Sequence, residues 1–334
     1  MKLYSIGKRF LGALLLASVV VSGCDRPAED NTPKLQKITI AQFGHVFLYL
    51  PLYVAKNKGF FKEQGIDVTL VSTGGDEKTF AAVSSGSAQF GVADPVFTAI
   101  ARERGQGGKV VASVVNGVAF WGITFRDDIS PIQGPEGFAK LRVAAYTAPS
   151  TNYTVMKKVL QNSSGTPVDA TIVEGAFGSL VAMLKADQAD VAMELEPVAS
   201  IAVASGAKVV YSLAESFGDF AFTGLTVTDQ YLQSKPETVQ AAVTALAKAA
   251  DYIYADFEGA FDVAVHEFPD IDKSILRNAL RRLIDDHVIP RSVVLSEESW
   301  NKAVDLRKEV GDIKSGGAYA ENVDMTFARK AELK

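Results

Sequence analysis

The sequence predicts an α/β protein of two lobes joined by a two-strand hinge. Three observations lead to this expectation. Strand and helix patterns alternate through residues 37–115 and again through 141–213. Two strand-like segments of similar length, "FWGITFRDD" (120–128) and "DFAFTGLTVTDQ" (219–230), leave the first unit and return to it. The remainder, from 231 onward, reads as helix.

The elements follow in order. "KITIAQF" (37–43) alternates apolar and polar residues as a half-buried strand does. Residues 51–58 read as a helix that Gly59 ends in a left-handed turn, with Lys56 and Lys58 favourable in its last turn. "IDVTLV" (66–71) is the next strand, "DEKTFAAVSSG" (76–86) a helix and "AQFGVAD" (88–94) a strand. Asp94 is placed to cap the following helix, with Pro95 in its first turn and Gly105 past its end. "KVVASVV" (109–115) closes the first unit. The second unit reads "LRVAAY", "STNYTVMKKVLQN", "VDATIVE", "GSLVAMLKADQ", "DVAME", "EPVASIAVASG" and "AKVVYSL" in the same alternation. Strands separated by helices of this length imply parallel sheets with right-handed crossovers. Ser234 to Glu237 has the form of a capping box opening a long Ala-rich helix. Residues 272–286 and 296–310 follow as amphipathic helices expected to cover the first lobe.

The N-terminus has a different character. Lys2, Lys8 and Arg9 precede an apolar run from Phe10 to Val21, the pattern of a signal peptide over residues 1–23. Val21-Ser22-Gly23-Cys24 resembles a bacterial lipobox, which implies cleavage before Cys24 and a diacylglyceryl (palmitate-bearing) membrane anchor on it. Cys24 is the only cysteine, so neither an internal disulfide nor a thiolate metal cluster is available. Asp25 after the cysteine resembles the Gram-negative signal for retention at the inner membrane, on its periplasmic face. Residues 24–36 then read as a polar tether. The expected lobes are 37–122 with 226–334, and 123–225. The formal charge of −5 becomes three units more negative on cleavage, which argues against a nucleic-acid partner. The body is expected to be monomeric and to need no cofactor.

In open α/β sheets ligands sit beyond the carboxyl ends of the strands. That rule selects Phe43, His45 and Phe47 with Tyr49 after the first strand, Thr73 and Gly74 with Gly75 after the second, and Asp94 after the third. In the second unit it selects Tyr146, Ser150, Thr151, Glu174, Phe177 and Glu194, with Glu196 beside them. Trp121 and Phe222 flank the hinge. Ser150 and Thr151 open a helix whose free N–H groups suit an anion, or one of them caps it. Asp94 is a helix cap or a ligand contact. Glu174 and Glu194 suit an amine or amidine, or else are helix-start acids. The aromatic residues suit a flat ring, or else belong to the core. A single His with no paired Cys or His argues against a metal binder.

The segment "PLYVAKNKGFFKEQGIDV" (51–68) resembles a signature of periplasmic solute-binding proteins of ABC importers, the group handling nitrate, sulfonates, taurine and thiamine-pyrimidine precursors. "AAVSSGSAQFGVADPVFTAIARERG" and "MLKADQADVAMELEP" extend the resemblance. It implies a type II-like periplasmic-binding-protein fold, a small-molecule ligand in an interlobe cleft, and a permease and ATPase as partners. The acids and rings favour a heteroaromatic, amine-bearing or zwitterionic solute over a plain anion. The group also includes a thiamine-pyrimidine synthase built on a Cys-rich, iron-dependent motif. Its residues are missing here, so no enzyme activity is expected.

Overall fold

A computed structural model describes residues 35–333; the expected signal peptide, Cys24 and the tether to residue 34 lie outside them. Among the described residues ten strands form two five-stranded sheets: β1 (Gln36–Gln42), β2 (Ile66–Ser72), β3 (Phe90–Ala93), β4 (Gly108–Asn116), β5 (Trp121–Thr124), β6 (Arg142–Tyr146), β7 (Thr171–Gly175), β8 (Val191–Glu194), β9 (Lys208–Ser212) and β10 (Ala221–Thr228). The first sheet has the order β2-β1-β3-β10-β4 and the second β7-β6-β8-β5-β9. Helices cover both, giving the two α/β lobes that the alternation predicts.

The two orders follow one plan. In each sheet the first three strands are parallel, as β1 is to β2 and β3 and β6 to β7 and β8. The fourth is antiparallel: β10 against β3 and β4, and β5 against β8 and β9. The sheets are therefore mixed, not parallel as the alternation implied. The exceptions are the two strands that follow a crossing between lobes. A chain arriving from the other lobe enters at the cleft end, where the parallel strands finish, so it must run back against them. The crossings themselves are the short segments 117–120 and 218–220, tied where Gly117 N donates to the Phe220 carbonyl at 3.0 Å.

Several local readings take a different form. The expected capping box does not form, because Ser234 ends a preceding helix (Asp229–Ser234) and donates back to Tyr231 O at 3.3 Å. The long helix Pro236–Ala255 starts on its proline instead. Gly59 does take the left-handed conformation (φ 81°). The helices Lys273–Asp285 and Glu297–Glu309 do more than cover the first lobe. The former packs on the second-lobe helix Val198–Ala204, and the latter touches both β10 and the helix Thr151–Val159. Each therefore reaches across from the lobe of β1 to that of β6.

Candidate functional site

The carboxyl ends of β1, β3, β6 and β8 face one another across the gap between the sheets. A small inner chamber of about 60 Å³ lies there. Its lining includes Phe43, Tyr49, Asp76 and Asp94 from the first lobe and Tyr146, Thr151 and Leu195 from the second, with Phe120 in one crossing and Phe222 just past the other. An outer vestibule of about 400 Å³ adjoins it and shares Phe43, Asp76, Tyr146 and Ser150. Gly74, Gly75 and Phe177 complete its wall, and Glu77 and Lys78 stand in its lining.

Five rings make a continuous apolar surface along this space. Phe43 meets Phe177 edge-on at 5.7 Å, and Phe177 meets Tyr146 at 5.4 Å. Tyr146 meets Phe120 at 6.0 Å, and Phe120 meets Phe222 at 5.5 Å. Phe43, Tyr146 and Phe177 were expected near the cleft from their strand-end positions, and Phe222 from its place beside the hinge. Phe177 is 57% exposed, whereas Tyr146, Phe120 and Phe222 are buried. The ladder thus runs from a solvent-facing ring at the mouth to enclosed rings at the floor, the geometry in which a flat body is desolvated in stages.

A buried polar clasp ties the lobes together beside the chamber. Thr151 donates to Asp94 Oδ2 at 2.7 Å, and Arg307 Nη2 donates to the same oxygen at 2.7 Å. Arg307 also donates to the Pro149 carbonyl, Thr154 and Asp312. Asp94 Oδ1 accepts from Val96 N at 2.9 Å, so Asp94 both caps the local turn and bridges the lobes. The start of the Thr151–Val159 helix is accordingly occupied from within. Ser150 Oγ accepts from Tyr153 N as its cap, and the carboxylate of Asp94 sits on Thr151. Arg307 was absent from the sequence reading, yet it had left a signal. Trp300, Ala303, Val304 and Arg307 form one helical stripe, and an arginine in an otherwise apolar stripe needs a buried partner.

The other expected residues lie apart from the chamber. The His45 ring stacks on Phe268 and Tyr53, each at 4.7 Å, with Nε2 3.5 Å from Glu267. Phe47 is fully buried beneath Phe268. Thr73 Oγ1 lies 2.7 Å from Thr79 Oγ1 and shapes the loop into the next helix. Trp121 is buried in β5, and its Nε1 donates to Asp286 at 2.7 Å. Glu174 is exposed and accepts from Ala148 N at 2.9 Å. Glu194 is wholly buried behind Tyr146, whose hydroxyl donates to its Oε2 at 2.6 Å. Its Oε1 has no partner among the described residues, and burial pushes its carboxyl up to about 7. Glu196 is also buried, held by Ser200 and by Arg282 at 3.1 Å.

Asp76, like Arg307 and Phe120, was not among the residues expected at the cleft. It opens the helix Asp76–Ser84 directly after Gly74-Gly75 and reads as an ordinary first-turn acid. In the fold it lines both spaces. Burial and the neighbouring Asp94 charge push its carboxyl up to about 6. No group of three or more His, Cys, Asp or Glu is placed to hold a metal ion among the described residues.

The comparisons with known proteins agree with this architecture. A family model described as NMT1/THI5 like matches residues 47–260. The chain is 22% identical over 317 residues to YtlA of Bacillus subtilis, named as a candidate binding protein, covering 89% of this chain and 90% of that one. It is 24% identical over 300 residues to a 4-amino-5-hydroxymethyl-2-methylpyrimidine phosphate synthase of Uromyces fabae, covering 82% and 83%. Among solved structures, the ligand-binding component of an ABC-type import system from Staphylococcus aureus, with zinc bound, superposes with a TM-score of 0.72 at 14% identity, covering 89% of this chain and 99% of that one. The alkanesulfonate-binding protein SsuA from Xanthomonas axonopodis pv. citri, bound to MOPS, does so at 0.68 and 16%, covering 88% and 99%.

Proposed function

The chain belongs to the NMT1/THI5-like family, and from that premise we propose that it is the solute-binding component of an ABC importer. In this reading it captures a small organic solute between its lobes and presents the closed form to a membrane permease and its ATPase. The observation that carries the proposal is the cleft itself. Residues from both lobes line one chamber, and the clasp of Thr151, Asp94 and Arg307 joins the lobes beside it. A ligand shifts such a molecule towards closure only by contacts it makes with both lobes in the shut form. Phe43 and Asp76 on one side and Tyr146 and Phe177 on the other supply such contacts.

The lipobox-like Cys24 and Asp25 support a chain tethered at the periplasmic face of the inner membrane of a Gram-negative cell. An aromatic or heteroaromatic body suits the ring ladder. Two other readings start from the comparisons. A sulfonate binder is supported by the likeness to SsuA, but its anion would have to share the chamber with Asp76 and Asp94. A synthase is supported by the fungal relatives, but the Cys-rich iron motif expected of that chemistry has no counterpart in a chain whose single cysteine is Cys24.

Thermal-shift screening and tryptophan fluorescence test the proposal. Trp121 donates to Asp286 across the lobe boundary, so a closing ligand should change its emission as well as raise the melting temperature. A broad panel of amines, heteroaromatic compounds, sulfonates and carboxylates that changes neither signal would sink the binding reading. Chemical turnover of a bound compound would replace it with the enzyme reading.

A further inference from the structure

From the inner chamber we infer that the solute is a cation, a protonated amine or amidinium borne on a flat apolar body, and that Asp76 is the residue holding its charged end. The inference rests on the solute-binding reading above and narrows it to one ligand class.

The reasoning starts from an inventory of charge. No Lys, Arg or His lines the inner chamber; its charged residues are Asp76 and Asp94. Asp94 is saturated, because Oδ2 accepts from Arg307 and Thr151 and Oδ1 from Val96 N. The charge of Arg307 is spent in turn on Asp94 and Asp312, each at 2.7 Å. Asp76 differs. Its Oδ1 accepts from Asp94 N at 3.0 Å, and among the described residues no N–H or O–H meets its second oxygen. A carboxylate so placed has an unused acceptor beside an enclosed apolar space. A cationic N–H group fills that need with a charge-assisted hydrogen bond.

The same geometry disfavours an anion. The helix start at Thr151, the nearest ready-made anion site, already carries the Asp94 carboxylate. Lys78 stands in the outer vestibule with Glu77 beside it, and neither lines the inner chamber. An anion there would face two carboxylates with no free cation to meet it. The rings complete the fit, since Phe43, Tyr146 and Phe120 line the same chamber and an aromatic surface favours a desolvated cation on an aromatic body.

The test is calorimetry at pH 7.5 with probes that share a ring and differ in charge. Benzylammonium and benzamidinium form the cationic set, benzyl alcohol and benzamide the neutral set, and benzoate and benzenesulfonate the anionic set. The expected result is measurable binding confined to the cationic set, weakened at least tenfold by Asp76→Asn. The wild-type comparison decides the charge class even if the variant does not fold. Anionic members binding while cationic ones do not would overturn the inference and leave the solute-binding reading standing. Cation binding unchanged in a folded Asp76→Asn variant would remove Asp76 from the role. Silence from all three sets would overturn the inference, and the broader screen described above would then decide the parent reading separately.

Discussion

Asp190 and Glu194 stand at opposite ends of β8, both buried, and their surroundings have opposite effects. Asp190 precedes the strand at the end remote from the cleft. It accepts from Arg126 Nη1 at 2.6 Å and from Arg142 through the backbone N, Nε and Nη2 at 2.8, 3.1 and 2.9 Å. Those bonds, from Arg142 first and then Arg126, hold its carboxyl well below the usual carboxylate range. Glu194 ends the same strand at the cleft. It has one hydroxyl donor, no cation and one bare oxygen, and burial raises it to about 7. A buried acid that only holds the fold together comes with its counter-charge. The acids that lack one, Glu194 and Asp76, are both at the cleft end, where perturbed groups without a structural partner gather at functional sites.

The largest test of this contrast is Asp190→Ala. It removes four hydrogen bonds and should cost roughly 2–4 kcal/mol in urea unfolding, with solute affinity unchanged. The sign with pH follows from the lowered value. The contribution is present above about pH 4, the unfolded carboxylate value, and is lost as pH falls through the native one. Glu194→Gln should act in the opposite sense. The native protein keeps a proton on Glu194 that the unfolded chain gives up, so wild-type stability declines between the ordinary glutamate value of about 4.5 and about 7. The amide cannot ionise and removes that decline, leaving the variant up to about 3 kcal/mol more stable than the wild type at pH 8. Asp76 adds a similar decline to both proteins and cancels in the difference. Parallel stability profiles for the two proteins would mean that Glu194 titrates normally.

The same contrast marks where sequence is informative. The strands were legible because alternation and turn residues are local, and so were the two segments entering each lobe. Their antiparallel direction was not, since periodicity carries no sign; it depends on which end of the sheet the chain enters. Strand-end position found Phe43, Tyr146 and Phe177, but it also selected His45. The loop after β1 instead turns through Phe47–Tyr49 and lays that ring on Phe268. Asp76 was hidden for the converse reason. Locally it is a first-turn acid, and only the arrival of Phe120 and Tyr146 from elsewhere in the chain encloses it. Arg307 was available all along from its place in an apolar stripe.

Tyr146→Phe sharpens the comparison at the next level down. It deletes the single donor to Glu194 and keeps the ring. The loss should be about 2 kcal/mol at pH 8, where the bond is to a charged acceptor, and about 1 kcal/mol at pH 5, where it is to a neutral one. In a Glu194→Gln background this pH dependence should vanish, because the two residues share one interaction. A loss of equal size at both pH values would assign the effect to packing of the hydroxyl and not to the carboxyl.

Phe177→Ala has the smallest expected effect on stability and separates the two kinds of region most cleanly. Phe177 is 57% exposed and meets Phe43 edge-on and Tyr146 at a tilt, so truncation should change unfolding free energy by less than about 0.5 kcal/mol. Asp190 matters to the fold and not to the solute; Phe177 should be the reverse. A ring at the cleft mouth, joining lobes that close on a ligand, has its surface covered only in the bound state. Its removal should therefore weaken binding of a flat solute severalfold, mainly by faster dissociation. Unchanged dissociation in stopped-flow measurements would make Phe177 an ordinary exposed hydrophobic residue and would shorten the functional ring ladder to Tyr146, Phe120 and Phe222.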